Sequence, residues 1–445
     1  MYWGEYKNKL RKPEEAVEVI KSGDWVDYGF CHSMPVALDR ALAARKEELN
    51  NIKVRGGLAL RPLEILGADP ERRVFTYSSW HFGGYERKVH DAGGCNYIPM
   101  IYRNKPLFYR NNLEVDVAMI SVAPMDRHGY FNFSVINSAN MAILEKAKTV
   151  IVEINKRFPK AMGGQEECVH ISQVDYIVEG ENPDLVELTP AIPGEIDLKI
   201  ARMIVEEIES GCTLQLGIGS LPNLVGNLIA QSDLKDLGMH TEMLVDAYLS
   251  LNKAGKLTNR CKKIDRGKGT WTFCAGSKEL YDWVDNNPGL ASYPVNYTND
   301  PCRIAQIDKM YSINNCVEID LFGQISSESS GTRQISGTGG QLDFLTGGYL
   351  SNGGKSFICF TSTFTDKVTG RLKSRVLPRL SSGEIVSDPR TQVHYLATEW
   401  GMVNLAGRST WERAEMIISI AHPDFRDSLI KEAEKMNIWR YSNKQ

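Results

Sequence analysis

TLQLGIGSLP, residues 213–222, reads as a β-strand that runs into a glycine turn and then into a helix. Thr213–Ile218 is a short strand-type run, and Leu221–Gln231 follows with helical spacing. Gly217 and Gly219 permit a tight turn and close approach by a ligand. Pro222 suits a first helical turn, where a missing N–H costs nothing. The unsatisfied N–H groups at the positive end of such a helix favour an anion. The segment is neither G-x-G-x-x-G nor a P-loop, so no standard nucleotide fingerprint is present. By itself it fits a ligand loop and a plain structural turn equally well.

The same joint has an echo upstream. YGFCHSMPVAL, residues 28–38, and LGIGSLPNLV, residues 216–225, each carry Gly, then Ser, then Pro two residues after the Ser, with one gap in the alignment. Further strands are expected at Val115–Val122, Thr149–Ile154, Cys316–Leu321 and Phe357–Phe360. Helices are expected at Val36–Leu49, Ile196–Ser210, Thr410–Ile420 and Phe425–Lys435. Strands alternating with helices predict an α/β fold with largely parallel sheets. At 445 residues, two domains are the default. The proline-rich and acidic stretch ENPDLVELTPAIPGE, residues 181–195, reads as a crossing between them or as a long surface loop. The expected division is 1–190 and 191–445.

Composition narrows the function classes. A formal net charge of −3 gives no reason to expect nucleic acid. MYWGEYKNKLRKPEE at the start lacks the apolar core of a signal peptide, and no apolar run is long enough for a membrane helix. Nine scattered cysteines without a C-x-x-C pair fit reduced, buried thiols, not disulfides or a zinc site. A cytoplasmic protein is expected, with no membrane and no metal.

Two more segments carry chemistry. In GMHTEMLVD, residues 238–246, Glu242 lies among apolar neighbours with Asp246 four residues on. On a helix those acids would share a face as an acid–base pair. The plainer reading has Thr241 capping a helix start with acids near its positive end. ISGTGGQLDF, residues 335–344, holds Gly339 and Gly340, with Gly331 upstream; it fits an anion nest or a flexible surface loop.

In this order the three segments resemble the acetyl-CoA hydrolase/transferase family, the class I CoA-transferases. The likeness continues in SVAPMDRHGYF, residues 121–131, and IDLFGQI, residues 319–325. It is most specific in the C-terminal run TEWG (398–401), LAGR (405–408), ERA (412–414) and AHPDFR (421–426). It implies two similar open α/β domains with the active site at their interface. It also implies a glutamate nucleophile at Glu242 and a CoA-contacting loop of Gly217, Ile218, Gly219, Ser220 and Leu221. A backbone amide at Gly339-Gly340, with Gly340 as the donor, would face an oxyanion. Asn314 falls where relatives carry an active-site asparagine, Val317 is a candidate for a backbone contact with CoA, and Lys367 for its phosphates. CKKIDRGKGTWTFCAG, residues 261–276, with Asp282–Pro288 and 292–297, resembles the members that act on butyryl-CoA and acetate more than the hydroxybutyrate type. The implied partners are acyl-CoA and short carboxylates such as acetate and butyrate, in a homodimer or homotetramer. No cofactor is implied: the CoA thioester is substrate and covalent intermediate.

A glutamate suits this exchange because each step swaps one carboxylic acid derivative for another. A model glutamate, with pKa about 4.3, is ionised and ready to attack at pH 7. Three alternatives remain: a 4-hydroxybutyrate transferase, a hydrolase using the same glutamate, and a nonenzymatic CoA sensor. The lack of G-x-S-x-G speaks against a serine hydrolase.

Overall fold

A computed structural model describes residues 2–189, 192–217 and 219–439. The chain divides into two compact units. Unit 1 comprises Met1–Thr189, Glu242–Leu244 and Lys268–Asn299; unit 2 comprises Pro190–Thr241, Val245–Gly267 and Asp300–Gln445. The chain thus returns to unit 1 twice, and one return carries Glu242.

Unit 1 is organised by a seven-stranded sheet. Its strands are β1 (Trp25–Asp27), β2 (Ile52–Gly56), β3 (Phe75–Ser79), β4 (Asn96–Tyr97), β5 (Val117–Val122), β6 (Thr149–Ile154) and β7 (Tyr176–Glu179). Their order is β4-β3-β2-β1-β5-β6-β7, and every pairing is parallel. All six residues of β5 are buried, as a parallel strand covered on both faces must be. The faces separate by the strand period of two: Val117 and Met119 join one apolar cluster with Leu38 and Leu42, whereas Ala118, Ile120 and Val122 join another with Ile143 and Val169. The chain order reverses between β1 and β5, a switch point of the kind that hosts ligands in open α/β sheets.

Helix α1 (Ala37–Ala44) is shorter than the 36–49 expected. Arg45 leaves helical geometry at ψ 13°, and its guanidinium bonds the carbonyl of Ile20 at 3.0 Å, which turns the chain aside.

Unit 2 holds a six-stranded sheet. After α2 (Glu195–Glu206) come β8 (Thr213–Leu216), α3 (Ser220–Gln231), β9 (Gly238–Met239), α4 (Asp246–Lys253), β10 (Met310–Asn315), α5 (Gln341–Leu350), β11 (Lys355–Cys359), β12 (Tyr395–Thr398) and β13 (Gly401–Asn404). The order is β9-β8-β10-β11-β12-β13, parallel except for the final β12–β13 pair. Strand β10 was not expected: Tyr311, Ser312, Asn314 and Asn315 hide its apolar pattern. The strand expected over 316–321 is instead Glu318–Asp320, in a separate three-stranded sheet with Ile325–Ser326 and Val376–Leu377. Among the described residues no helix is long and apolar enough to cross a membrane.

Candidate active site

Glu242 does not start a helix. It precedes the short strand Met243–Leu244, which pairs in parallel with Phe273–Cys274. α4 begins only at Asp246, capped by Val245 in extended geometry, so Glu242 and Asp246 do not share a helical face. The Glu242 backbone carbonyl accepts two amides, from Thr272 at 3.1 Å and Phe273 at 3.2 Å. Its carboxylate Oε2 accepts the Asn299 side-chain amide at 2.6 Å. Asn299 is fully buried and closes the helix Val295–Thr298, its N–H bonded to the Val295 carbonyl. A strand end and a helix end therefore orient one half-buried glutamate.

Aromatic packing supports the strand end. Phe273 meets Phe30 edge-on at 5.1 Å between ring centres, and Phe30 stacks on Trp80 at 4.5 Å. Tyr102 joins them, its hydroxyl 2.6 Å from Ser138 Oγ. Burial pushes the Tyr102 hydroxyl well up, and the negative charge of Glu242 adds to the rise, so this phenol keeps its proton.

Unit 1 also holds a cavity at the β1–β5 switch point, lined by His32, Met34, Arg61, Ser121, Glu153 and Asn155 among others. Burial, and then the charge of Arg61, lowers His32 to about 3. That imidazole is neutral, with Nε2 3.1 Å from the Tyr281 hydroxyl.

In unit 2 the loop after β8 follows the expected joint. Gly217 donates to the Ile313 carbonyl at 3.1 Å, which carries β8–β10 pairing one step past the strand. Gly219 has φ +128°, a conformation that side chains disfavour, and it caps α3. Ser220 opens the helix with its hydroxyl 3.5 Å from Asp197 Oδ2, and Leu221 is buried. Ile218 lies outside the described residues.

Asn314 sits beside this loop. Its amide is locked reciprocally to Gln215: Asn314 Nδ2 donates to Gln215 Oε1 at 2.9 Å, and Gln215 Nε2 donates to Asn314 Oδ1 at 3.2 Å. Gly339, with φ +56°, and Gly340, the N-cap, lie at the start of α5. Val317 has both backbone groups engaged. Its N–H donates to the Ser326 carbonyl at 2.9 Å, and its carbonyl accepts from Arg375 Nη1 at 2.9 Å. Only a second lone pair on that carbonyl is left for a backbone contact. Lys367 is exposed, at the turn between the antiparallel strands Thr363–Thr365 and Leu372–Ser374.

The chain is matched by family and by relatives. Residues 1–188 fit the acetyl-CoA hydrolase/transferase N-terminal domain, and residues 276–433 fit the C-terminal domain. The chain belongs to the acetyl-CoA hydrolase/transferase family. It is 56% identical over 442 residues to a butyryl-CoA:acetate CoA-transferase of Anaerostipes caccae, covering 99% of each chain. It is 40% identical to a 4-hydroxybutyrate coenzyme A transferase of Clostridium kluyveri, covering 98% of this chain and 100% of the relative. Among solved structures, RipA from Yersinia pestis superimposes with a TM-score of 0.90 at 37% identity, covering 99% of this chain and 100% of RipA.

Within this family member, sequence reasoning missed Asn299, Tyr102 and Gln215. Each is a common polar residue in an unremarkable local context, and only the fold brings Asn299 and Tyr102 to Glu242, or Gln215 to Asn314.

Proposed function

We propose that the protein transfers CoA from butyryl-CoA to acetate through a glutamyl-CoA thioester on Glu242. The observation that carries this is the Asn299 amide 2.6 Å from the Glu242 carboxylate, with the Glu242 backbone held by two further amides. A carboxylate is a weak nucleophile, and holding it in place is the contribution it most needs. Positioning of this kind supplies about 7–11 kcal/mol in well-oriented reactions. The choice of butyryl-CoA and acetate rests on the relatives at 56% and 50% identity, whose names carry butyryl-CoA:acetate and butyrate:acetyl-CoA.

In this reading a Glu242 oxygen attacks the butyryl-CoA carbonyl, and charge builds on the carbonyl oxygen. A backbone amide at Gly339-Gly340 stabilises that oxyanion, worth roughly 3–4 kcal/mol for one donor. The C–S bond breaks, leaving a butyryl-glutamyl anhydride and CoA thiolate. The thiolate attacks the glutamyl carbonyl and releases butyrate, leaving CoA on Glu242. Acetate then runs the sequence in reverse: it displaces the thiolate, and the thiolate takes the acetyl group and frees Glu242. The loop from Gly217 to Leu221 holds CoA, with Asn314 bracing it through Gln215; Lys367 contributes charge near the phosphates. The protein works without cofactor in the cytoplasm of a butyrate-forming cell, as a homodimer or homotetramer.

The test is peptide mass after incubation with butyryl-CoA: a CoA adduct is expected within residues 236–250. Glu242→Gln is expected to lose the adduct and to slow exchange by about 1,000-fold or more, with the melting temperature retained. Butyryl-CoA consumption that does not depend on acetate would identify a hydrolase. Preference for 4-hydroxybutyrate over acetate would identify the other transferase.

A further inference from the structure

We propose that Asp388 is a positioning residue that holds Gln341, the first residue of α5, and thereby fixes the backbone amides of the Gly339-Gly340 turn. The oxyanion role of that turn rests on the function proposed above; the tether itself does not.

The loop from Ser336 to Gly340 is pinned at two ends. At its start, the Glu328 carbonyl accepts the amides of Ile335 at 2.7 Å and Ser336 at 3.2 Å, and the Glu328 carboxylate accepts the Thr338 hydroxyl at 3.2 Å. At its end, Gln341 Nε2 donates to Asp388 Oδ2 at 2.6 Å and to Ser327 Oγ at 2.8 Å. The frame is shared: Ser387, next to Asp388, donates its hydroxyl to Glu328 Oε1 at 3.0 Å and accepts the Ser327 amide at 3.0 Å.

A glycine turn has little stiffness of its own, because φ is free in both halves of the map. The two carboxylates supply the rigidity that preorganised amides require. Asp388 is fully buried, and its other oxygen, Oδ1, has no hydrogen-bond partner among the described residues. A buried acid with one oxygen spent on Gln341 and the other unpaired is costly to keep for stability alone.

The groups facing Asp388 are Glu328 from the loop after Ile325–Ser326, Asp343 from α5 and the thiol of Cys316. Burial pushes Asp388 up to about 7; the Gln341 bond lowers it, and the negative charges of Glu328 and Asp343 raise it. Above that pH the carboxylate is an anionic acceptor for Gln341. Below it the acid is neutral and the bond weaker, so the tether loosens as pH falls.

The experiment compares Asp388→Ala, Asp388→Asn and Gln341→Met with the wild type by amide hydrogen exchange and by kinetics. Exchange of the peptide covering 336–341 is expected to quicken by about tenfold in Asp388→Ala and in Gln341→Met. In the same variants kcat falls by about tenfold or more, while KM for butyryl-CoA stays within about twofold. Asp388→Asn keeps a neutral acceptor: its kcat lies between alanine variant and wild type, without the wild-type decline below about pH 7. Unchanged exchange at 336–341 in Gln341→Met overturns the inference, including the case where Asp388→Ala fails to fold. An Asp388→Asn profile with the wild-type decline intact overturns it too. Loosened amides in a protein whose wild type shows no CoA transfer would refute the function and leave the tether standing.

Discussion

In unit 1 the chain leaves β1, turns through Gly29 at φ +70° and enters α1; in unit 2 it leaves β8, turns through Gly217 and Gly219 and enters α3. Strand register carries one joint onto the other. A Cβ built on Gly29 would lie 3.2 Å from Ile120, and one on Gly217 would lie 3.6 Å from Asn314. One residue further, Ser121 pairs with Glu153 in β6, whereas Asn315 pairs with Cys359 in β11. The Glu153 carboxylate accepts the amides of Val36, Ala37 and Leu38 at 3.1, 3.2 and 3.0 Å. At the corresponding place unit 2 has a buried thiol, pushed up by its burial and therefore neutral. One joint holds a carboxyl group of its own, raised in pKa by burial against the three amides it accepts, and the other does not bring one from that strand. Unit 1 repeats the device with Asp39, which accepts the Tyr28 hydroxyl at 3.0 Å and the Glu64 amide at 2.6 Å at the start of the helix Glu64–Ala68.

Four substitutions probe this difference between the units, the first having the largest effect. Glu153→Cys gives unit 1 the residue of unit 2 and leaves three amides without their acceptor. At about 1–3 kcal/mol for each unsatisfied group, stability should fall by about 3 kcal/mol or more. Sulfate should then raise the melting temperature of this variant more than that of the wild type, by filling the vacated helix start. An equal gain in both proteins would end the comparison.

Next is Asp39, which burial raises to about 6 against the bonds it accepts. Because the folded state holds this proton more tightly than the unfolded chain, the associated stability is present at acid pH. It is lost as pH rises from about 4 to about 6. Chemical denaturation should therefore show the wild type gaining on Asp39→Asn by up to about 3 kcal/mol as pH falls through that window. The opposite slope would mean that hydrogen bonding outweighs burial at this acid.

Gly219→Ala comes third. At φ +128° an alanine is strained by about 1–3 kcal/mol although its Cβ would meet nothing closer than 3.7 Å. The loop is expected to shift, and KM for butyryl-CoA to rise by about tenfold, measured by initial rates. Lys367→Ala is the smallest. Its exposure predicts a stability change within about 0.5 kcal/mol and a rise of about threefold in KM for butyryl-CoA that fades at high salt.

Much of this was legible along the chain, for identifiable reasons. The α/β class followed from short β-branched runs alternating with helical spacing, a signal that survives where strands covered on both faces, such as β5 and β6, are mostly apolar. β5 and β6 appear where such runs stand, and so do β8 and α3 at TLQLGIGSLP. Strand β10 was hidden because distant partners satisfy two of its polar side chains, Gln215 for Asn314 and Glu209 for Tyr311. The glutamate was legible through the resemblance of its segment, but its local geometry was not. A run of His-Thr-Glu reads more readily as a helix cap, and pairing with Phe273–Cys274 decides for a strand.

Local order alone determined the class of fold and the glycine joints, because backbone preference and hydrophobic period act over a few residues; the family came from the resemblance of motifs spread along the chain. The tertiary structure decided that Glu242 is gripped by Asn299, that Glu153 occupies one helix start, and that Asp388 holds Gln341. Those pairs lie 57, 115 to 117 and 47 residues apart. Hydrogen bonds require approach within about 3 Å, and no local pattern records which distant partner the folded chain will bring there.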